Sequence, residues 1–170
     1  GTPSGDKHAV EVKTDGTLWT WGSNVNGELG LGDQGVNRSS PVQVGALTNW
    51  SKAVAGVYIT LAIKTDGTLW AWGGNYYGSC GLGDSYQANS VRRSSPVQVG
   101  ALTNWSFAQM GYYHTIGTKT DGTLWSWGIN NFGQLGQGDR VSRSSPVQIG
   151  ALTTWKKGFA GYNFSMGIKS

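Results

Sequence analysis

An all-β chain of four-stranded antiparallel blades is predicted by three observations. The heptapeptide Lys-Thr-Asp-Gly-Thr-Leu-Trp occurs at residues 13–19, 64–70 and 119–125, so its Trp copies stand 51 and 55 residues apart. Between the copies, Gly, Asn, Asp and Pro punctuate short runs of β-forming residues, and none carries the 3.6-residue period of an amphipathic helix. The 170 residues include 28 Gly and 9 Trp, and every Trp lies inside the repeat. A period of about 40–55 residues marks a propeller-like array, in which each unit buries its apolar face only by stacking on a neighbour.

Each element follows from its residues. Segments 60–64, 68–72, 96–99 and 105–110 read as short strands. Asp15-Gly16, Asp66-Gly67 and Asp121-Gly122 are expected to form primed hairpin turns, which require positive φ. Gly-Ala-Leu-Thr at 45–48, 100–103 and 150–153 forms the next turn, followed each time by a tryptophan strand starting at Trp50, Trp105 or Trp155. Arg-Ser-Ser-Pro at 38–41, 93–96 and 143–146 leads into a strand with Pro expected at its first residue, where no ladder bond is lost. Four strands per period of about 52 residues make one blade. Residues 1–170 form a single array with repeats at 5–55, 56–110 and 111–160 and a partial repeat at 161–170. Because 8–13 aligns with 164–169, the array comprises about three blades plus the start of a fourth.

Composition narrows the function classes. Burying one Trp side chain of ~200 Å² at ~25 cal/mol per Å² stabilises by roughly 5 kcal/mol as an upper bound, so tryptophan packing dominates the expected core. The net charge of +4 is spread along the chain, and its densest spots, Arg92-Arg93 and Lys156-Lys157, are too small for a nucleic-acid stripe. Cys80 is the single cysteine, which excludes an intrachain disulfide. No apolar run approaches ~18 residues, so membrane insertion is not expected. The opening Gly-Thr-Pro-Ser, with no initiator Met or signal peptide, reads as a remnant of processing or of expression cloning.

The third copy carries Gly-Tyr-Tyr-His-Thr at 111–115, Trp-Ser-Trp-Gly at 125–128 and Asn-Asn-Phe-Gly-Gln-Leu-Gly at 130–136. With the heptapeptide and Arg-Ser-Ser-Pro-Val-Gln, these motifs resemble the regulator of chromosome condensation repeat family over residues 5–170. The resemblance implies a propeller, usually of seven blades, and the terse form of the repeat is similar to bacterial and phage members. A full ring needs about 360 residues at this period, so a partial ring is expected, completed by a longer parent, by self-association or by a partner. Two departures stand out: Glu28-Leu29 and Ser79-Cys80 where the family has Gln-Leu. His8 and His114 occupy the family's His position, but Ile59 and Phe164 replace it in the other copies, so the position is read as packing.

Strand parity puts the near-identical Asp-Gly and Gly-Ala-Leu-Thr turns at one end of the blades and the divergent loops at the other. The divergent end carries the candidate partner-binding face: Tyr58, Tyr76, Tyr77, Tyr86, Tyr112, Tyr113, His114, Phe132, Tyr162 and Asn163. Tyrosine on loops held by a rigid sheet supplies contact area with little entropy loss. No phosphate-binding loop, paired carboxylates, calcium loop or nucleophile–base pair is found, so no catalytic, cofactor or metal site is expected. The expected function is a non-enzymatic module for structure or protein binding in a bacterial surface protein or phage virion, outside the cytoplasm. The alternative is a regulator of an enzyme: an exchange factor for a small GTPase or a propeller-type inhibitor.

Overall fold

Thirteen strands and one short 3₁₀ turn account for the regular structure in a computed structural model that describes residues 7–84 and 91–170. Blade 1 holds β1 (His8–Val12), β2 (Leu18–Gly22) and β3 (Arg38–Gln43). Blade 2 holds β4 (Trp50–Ala55), β5 (Ile59–Lys64), β6 (Leu69–Gly74) and β7 (Arg92–Gln98). Blade 3 repeats it with β8 (Trp105–Met110), β9 (His114–Lys119), β10 (Leu124–Gly128) and β11 (Arg143–Gln148). Blade 4 consists of β12 (Trp155–Ala160) and β13 (Ser165–Lys169). Every pairing is antiparallel between sequence neighbours. Among the described residues, two four-stranded blades are thus flanked by a three-stranded sheet before them and a two-stranded one after them. The first strands pack on one another from blade to blade, β4 on β8 and β8 on β12, and so line the inner edge.

The heptapeptide is a closed network. In the second copy Thr68 N and Thr68 Oγ1 donate to Asp66 Oδ1 at 2.9 and 2.6 Å, and Trp70 Nε1 donates to Thr68 Oγ1 at 2.8 Å. The Lys64 ammonium lies 3.8 Å from the centre of the Trp70 ring, a cation–π contact. The same bonds recur at 15/17/19 and 121/123/125. The Thr68 hydrogen bonds hold the Asp66 carboxyl below its ordinary range, as their counterparts do at Asp15 and Asp121. Thr68→Val keeps the shape but removes the hydroxyl that both accepts and donates. It should destabilise by about 1–2 kcal/mol, read from the urea midpoint.

Two local expectations are corrected. The Asp-Gly turns are not primed: Gly16 N donates to Lys13 O, and Gly16 (φ 78) has positive φ while Thr14 and Asp15 do not. An ordinary turn followed by a left-handed Gly makes a three-residue hairpin with a bulge, and Asp can then face Thr rather than adopt positive φ. The Arg-Ser-Ser-Pro strands also begin before their Pro. Pro96 sits inside β7, tolerated because β7 is the outermost strand of its sheet.

Successive blades meet through one repeated joint. Trp72 Nε1 and Thr60 Oγ1 both donate to Glu28 O at 2.8 Å, crossing from blade 2 to blade 1. Trp127 Nε1 and Thr115 Oγ1 likewise donate to Ser79 O at 2.9 Å, crossing from blade 3 to blade 2. Both Trp side chains are fully buried. Gly32 N and Gly83 N donate to Ser94 O and Ser144 O of the following blade, each at 2.8 Å. A Cβ at Gly81 would stand 2.7 Å from Trp127 Nε1, so the joint admits no larger residue there. Val10, Leu18, Trp50 and Ala62 fill the first joint, and Leu61, Ile63, Leu69, Ala108 and Trp127 the second.

The histidines join blades rather than merely pack. His8 Nε2 bonds Thr60 Oγ1 of the next blade at 2.8 Å, and His114 Nε2 bonds Ser165 Oγ at 3.0 Å.

Candidate functional site

The two ends of the blades differ in chemistry. At one end, Trp50 N, Trp105 N and Trp155 N donate to Gly16 O, Gly67 O and Gly122 O at 3.1, 3.0 and 3.0 Å, tying each Asp-Gly turn to the turn that follows it. A Cβ on Gly67 would lie 2.0 Å from Thr103 O. Such packing accounts for the near-identity of these turns in all copies.

The opposite end gathers the tyrosines. The β4–β5, β8–β9 and β12–β13 loops bring Tyr58, Tyr112, Tyr113 and Tyr162 to the inner rim, because they cap the inner strands of three successive blades. The 3₁₀ turn Tyr76–Gly78, between β6 and β7, adds Tyr76 and Tyr77. The Tyr58 ring stacks on Tyr113 at 5.9 Å and meets Tyr76 edge-on at 5.2 Å. Tyr113 also touches Tyr77 at 5.2 Å and Tyr112 at 4.3 Å, and Tyr112 stacks on Tyr162 at 4.4 Å. All six described tyrosines therefore form one connected arc, and Tyr86 lies outside the described residues. The Tyr76 hydroxyl donates to Asn26 Oδ1 at 3.1 Å, and the Tyr58 and Tyr112 hydroxyls lie 3.5 Å apart. Burial, followed by the Tyr112 and Tyr58 hydroxyls, pushes the Tyr113 phenol well above its ordinary range, so it stays neutral.

The arc has a fixed interior and an open rim. Tyr58, Tyr76, Tyr112 and Tyr113 are half-buried, whereas Tyr77 and Tyr162 are 38% and 62% exposed. Tyr77 has φ 55, and no other described non-glycine residue has positive φ. The equivalent Asn26 and Phe132 have no such φ, so the conformation belongs to this tyrosine rather than to the repeat. The Lys7 ammonium stands 5.5 Å from the Tyr58 ring and puts a cation beside the arc.

Three residues of the expected face lie elsewhere. His114 is 1% exposed beneath the tyrosines and turns its Nε2 to Ser165, so it cannot touch a docked partner. Burial holds its imidazole down to about 4, as it does His8. Phe132 and Asn163 are exposed but line a separate hollow of 310 Å³ with Phe164 at the blade 4 end. A further groove of 620 Å³ runs along the inner strands between Lys52, Val54, Phe107, Gln109 and Phe159.

Glu28 and Asn26 escape sequence reasoning, although their spacing carries a signal. Glu28 Oε2 accepts from Asn26 N at 2.7 Å, and Gln134 Oε1 accepts from Phe132 N at 3.0 Å. Glu and Gln alternate there because each supplies a side-chain oxygen to the amide two residues earlier. Among the described residues no group of three His, Cys, Asp or Glu could hold a metal, and no helix is long and apolar enough to cross a membrane. Cys80 is fully buried, and burial pushes its thiol far above the ordinary range.

Comparison with known proteins agrees with this architecture. The sequence profile of the regulator of chromosome condensation (RCC1) repeat matches residues 15–63, 66–117 and 121–168. Over 136 residues, 78% of this chain, the sequence is 35% identical to the ultraviolet-B receptor UVR8 of Arabidopsis thaliana. Over a stretch of the same length it is 32% identical to the probable E3 ubiquitin-protein ligase HERC6 of Homo sapiens. The matched regions span 30% and 13% of those relatives. In structure the chain superposes on Prp20p of Saccharomyces cerevisiae with a TM-score of 0.82 at 21% identity, covering 98% of this chain and 43% of that one. That likeness bears on fold alone, and the fold is a β-propeller.

Proposed function

The chain belongs to the regulator of chromosome condensation (RCC1) repeat family, and on that footing we propose that it is a non-enzymatic propeller module whose tyrosine arc docks a protein partner. One observation carries the reading: six tyrosines from three successive blades converge on one end, with Tyr77 and Tyr162 open to solvent. Aromatic side chains with few rotatable bonds, immobilised before docking, are the usual anchors of protein interfaces. Prp20p was described together with its binding to Gsp1p and histones, which supports a protein as the class of partner. The repeated Asp and Thr side chains are consumed in holding turns, which supports a binding role over a catalytic one.

Two finer readings accompany it. The partner is another protein or a second copy of this chain, and the terse form of the repeat supports a surface or virion protein of bacterial or phage origin, outside the cytoplasm. The fixed left-handed Tyr77 favours, as a narrower form, a regulator that inserts one aromatic anchor into an enzyme. Nucleotide release from a small GTPase with and without the chain tests the exchange-factor version, and no acceleration is expected.

The arc itself is tested by selecting displayed peptides on the folded chain and titrating them against variants. Tyr77→Ala with Tyr113→Ala should weaken the selected peptides by about 30-fold or more, with the circular dichroism spectrum unchanged. Leu102→Ala, in a turn at the other end, should leave affinity as it was. The reverse pattern would move the binding surface to the opposite end.

A further inference from the structure

Two tyrosines of the arc meet in a way that the others do not. Gly-Tyr-Tyr-His at 111–114 and Gly-Tyr-Asn-Phe at 161–164 are the same loop in successive blades, so Tyr112 and Tyr162 occupy one position of the repeat. Each loop is closed by the same bond: Gly111 N donates to His114 O at 2.8 Å, and Gly161 N donates to Phe164 O at 2.9 Å. The loops touch backbone to backbone, since a Cβ on Gly111 would stand 2.2 Å from Gly161 O. Beside that contact the Tyr112 and Tyr162 rings stack at 4.4 Å, with 23° between their planes.

Among the described residues no other tyrosine pair combines closeness with a parallel face. Tyr112 and Tyr113 are as near, at 4.3 Å, but cross at 67°, and Tyr58 and Tyr113 are parallel within 10° but stand 5.9 Å apart. Removing one electron and the hydroxyl proton from a phenol leaves a radical whose unpaired spin lies on the oxygen and on the ring carbons ortho and para to it. Two such radicals held face to face join through their ortho carbons, and a fixed pose favours that step far beyond chance collision in solution. Tyr77, 38% exposed at the rim, touches Tyr113, and Tyr113 touches Tyr112, so oxidation at the surface reaches the pair through ring contacts. Cys80, the single thiol, is fully buried and offers an oxidant no access.

We propose that Tyr112 and Tyr162 are an oxidative cross-linking site, joined by a carbon–carbon bond between their ortho carbons when a haem peroxidase turns over hydrogen peroxide beside the chain. Each phenol gives up one electron and one proton. The radicals couple, and the hydrogens on the bonded carbons move to the ring oxygens, which restores both phenols. The two electrons and two protons reduce one hydrogen peroxide to two waters, so the step balances. The bond clasps blade 3 to blade 4 across 50 residues of sequence and constrains the unfolded chain as a disulfide of that loop length does. It is independent of whether the arc docks a partner.

Treating the full chain with hydrogen peroxide and a haem peroxidase, then mapping tryptic peptides by mass, tests the site. The expected product is residues 94–119 joined to residues 158–169 with the loss of two hydrogen atoms, and fragment ions place the bond on Tyr112 rather than Tyr113. The product has the mass of a single chain and the blue fluorescence of a biphenol. Its yield per chain should not change on dilution, and unfolding in urea before treatment should lower it by about tenfold or more. Tyr162→Phe keeps the stacked ring without the phenol and should abolish the joined peptides, as should Tyr112→Phe. Tyr58→Phe, which removes a phenol of the arc outside the pair, should leave them in place. The linked chain should melt about 5–10 °C above the untreated one. No joined peptides, a different pair as the main product, linkage chiefly between chains, or a yield indifferent to urea overturns the proposal. Peptide binding by the arc is read on the untreated chain, so failure of either reading is seen separately.

Discussion

Replacing Trp72 by Ala is expected to destabilise the chain by about 4–5 kcal/mol, near the top of the range for a single core truncation. The side chain is 0% exposed and meets Trp50 edge-on at 6.2 Å. Its Nε1 donates to Glu28 O, so truncation opens a large cavity and removes one of the two donors that blade 2 directs at that carbonyl of blade 1. At this chain length the loss corresponds to a fall in melting temperature of about 10–20 °C. Trp72→Phe separates the contributions, since it keeps most of the packing but not the donor, and should recover more than half of the loss. Trp21→Ala supplies the contrast: the same repeat position, half-exposed in the end blade, should destabilise the monomer by under about 1 kcal/mol. Thermal and urea unfolding of the three variants checks the set.

The second large effect is loss of stability in mild acid. Burial lowers His8 and His114 from 6.5 to about 4. The folded state therefore favours the neutral imidazole, and the unfolded chain binds more protons between those values. The stability this contributes is present in full above pH 6.5 and is lost as the pH falls toward 4. Each histidine should account for a loss of about 2 kcal/mol by pH 5 and about 3 by pH 4. In His8 the Nε2–H already donates to Thr60 Oγ1, whose own proton goes to Glu28 O. The added proton therefore falls on Nδ1, which is buried with no hydrogen-bond partner among the described residues. The carboxyls of Asp15, Asp66, Asp121 and Asp139 are held low by hydrogen bonds and so lose their contribution only at lower pH. His8→Gln with His114→Gln should flatten the stability profile between pH 6.5 and 5 while leaving the steeper fall below pH 4. A double variant that keeps the original slope would place the acid sensitivity elsewhere.

The sequence speaks clearly about whatever is local to one repeat. Alternation, turn residues and the recurrent heptapeptide locate the strands, since a strand's residues and its turn are neighbours in the chain. The primed-turn expectation fails because Asp-Gly is compatible with two hairpin types. The choice rests on Thr68, whose amide and hydroxyl draw the Asp66 carboxylate and leave positive φ to Gly67 alone. What happens between repeats is harder to read. His8 looks like packing because its partner, Thr60, lies 52 residues away and the copies vary independently. The tyrosine face is legible as a set of loop residues at one end of the blades. Its gathering into one arc is not, because it depends on the rotation between blades and on the left-handed Tyr77, which a Tyr-Tyr-Gly string does not announce. His114 belongs to the same loop as Tyr113 and still faces inward, as its place at the start of β9 requires.

The central claim is that the tyrosine arc is the surface that meets a partner. Amide hydrogen exchange of the full chain, with and without its tightest selected peptide, tests it most directly. Slowed exchange should map to 57–58, 76–78 and 111–113, the segments that carry the arc, while the turns at 45–49 and 100–104 stay unchanged. Protection confined to those turns, or to the inner-strand groove around Phe107 and Phe159, would contradict the claim.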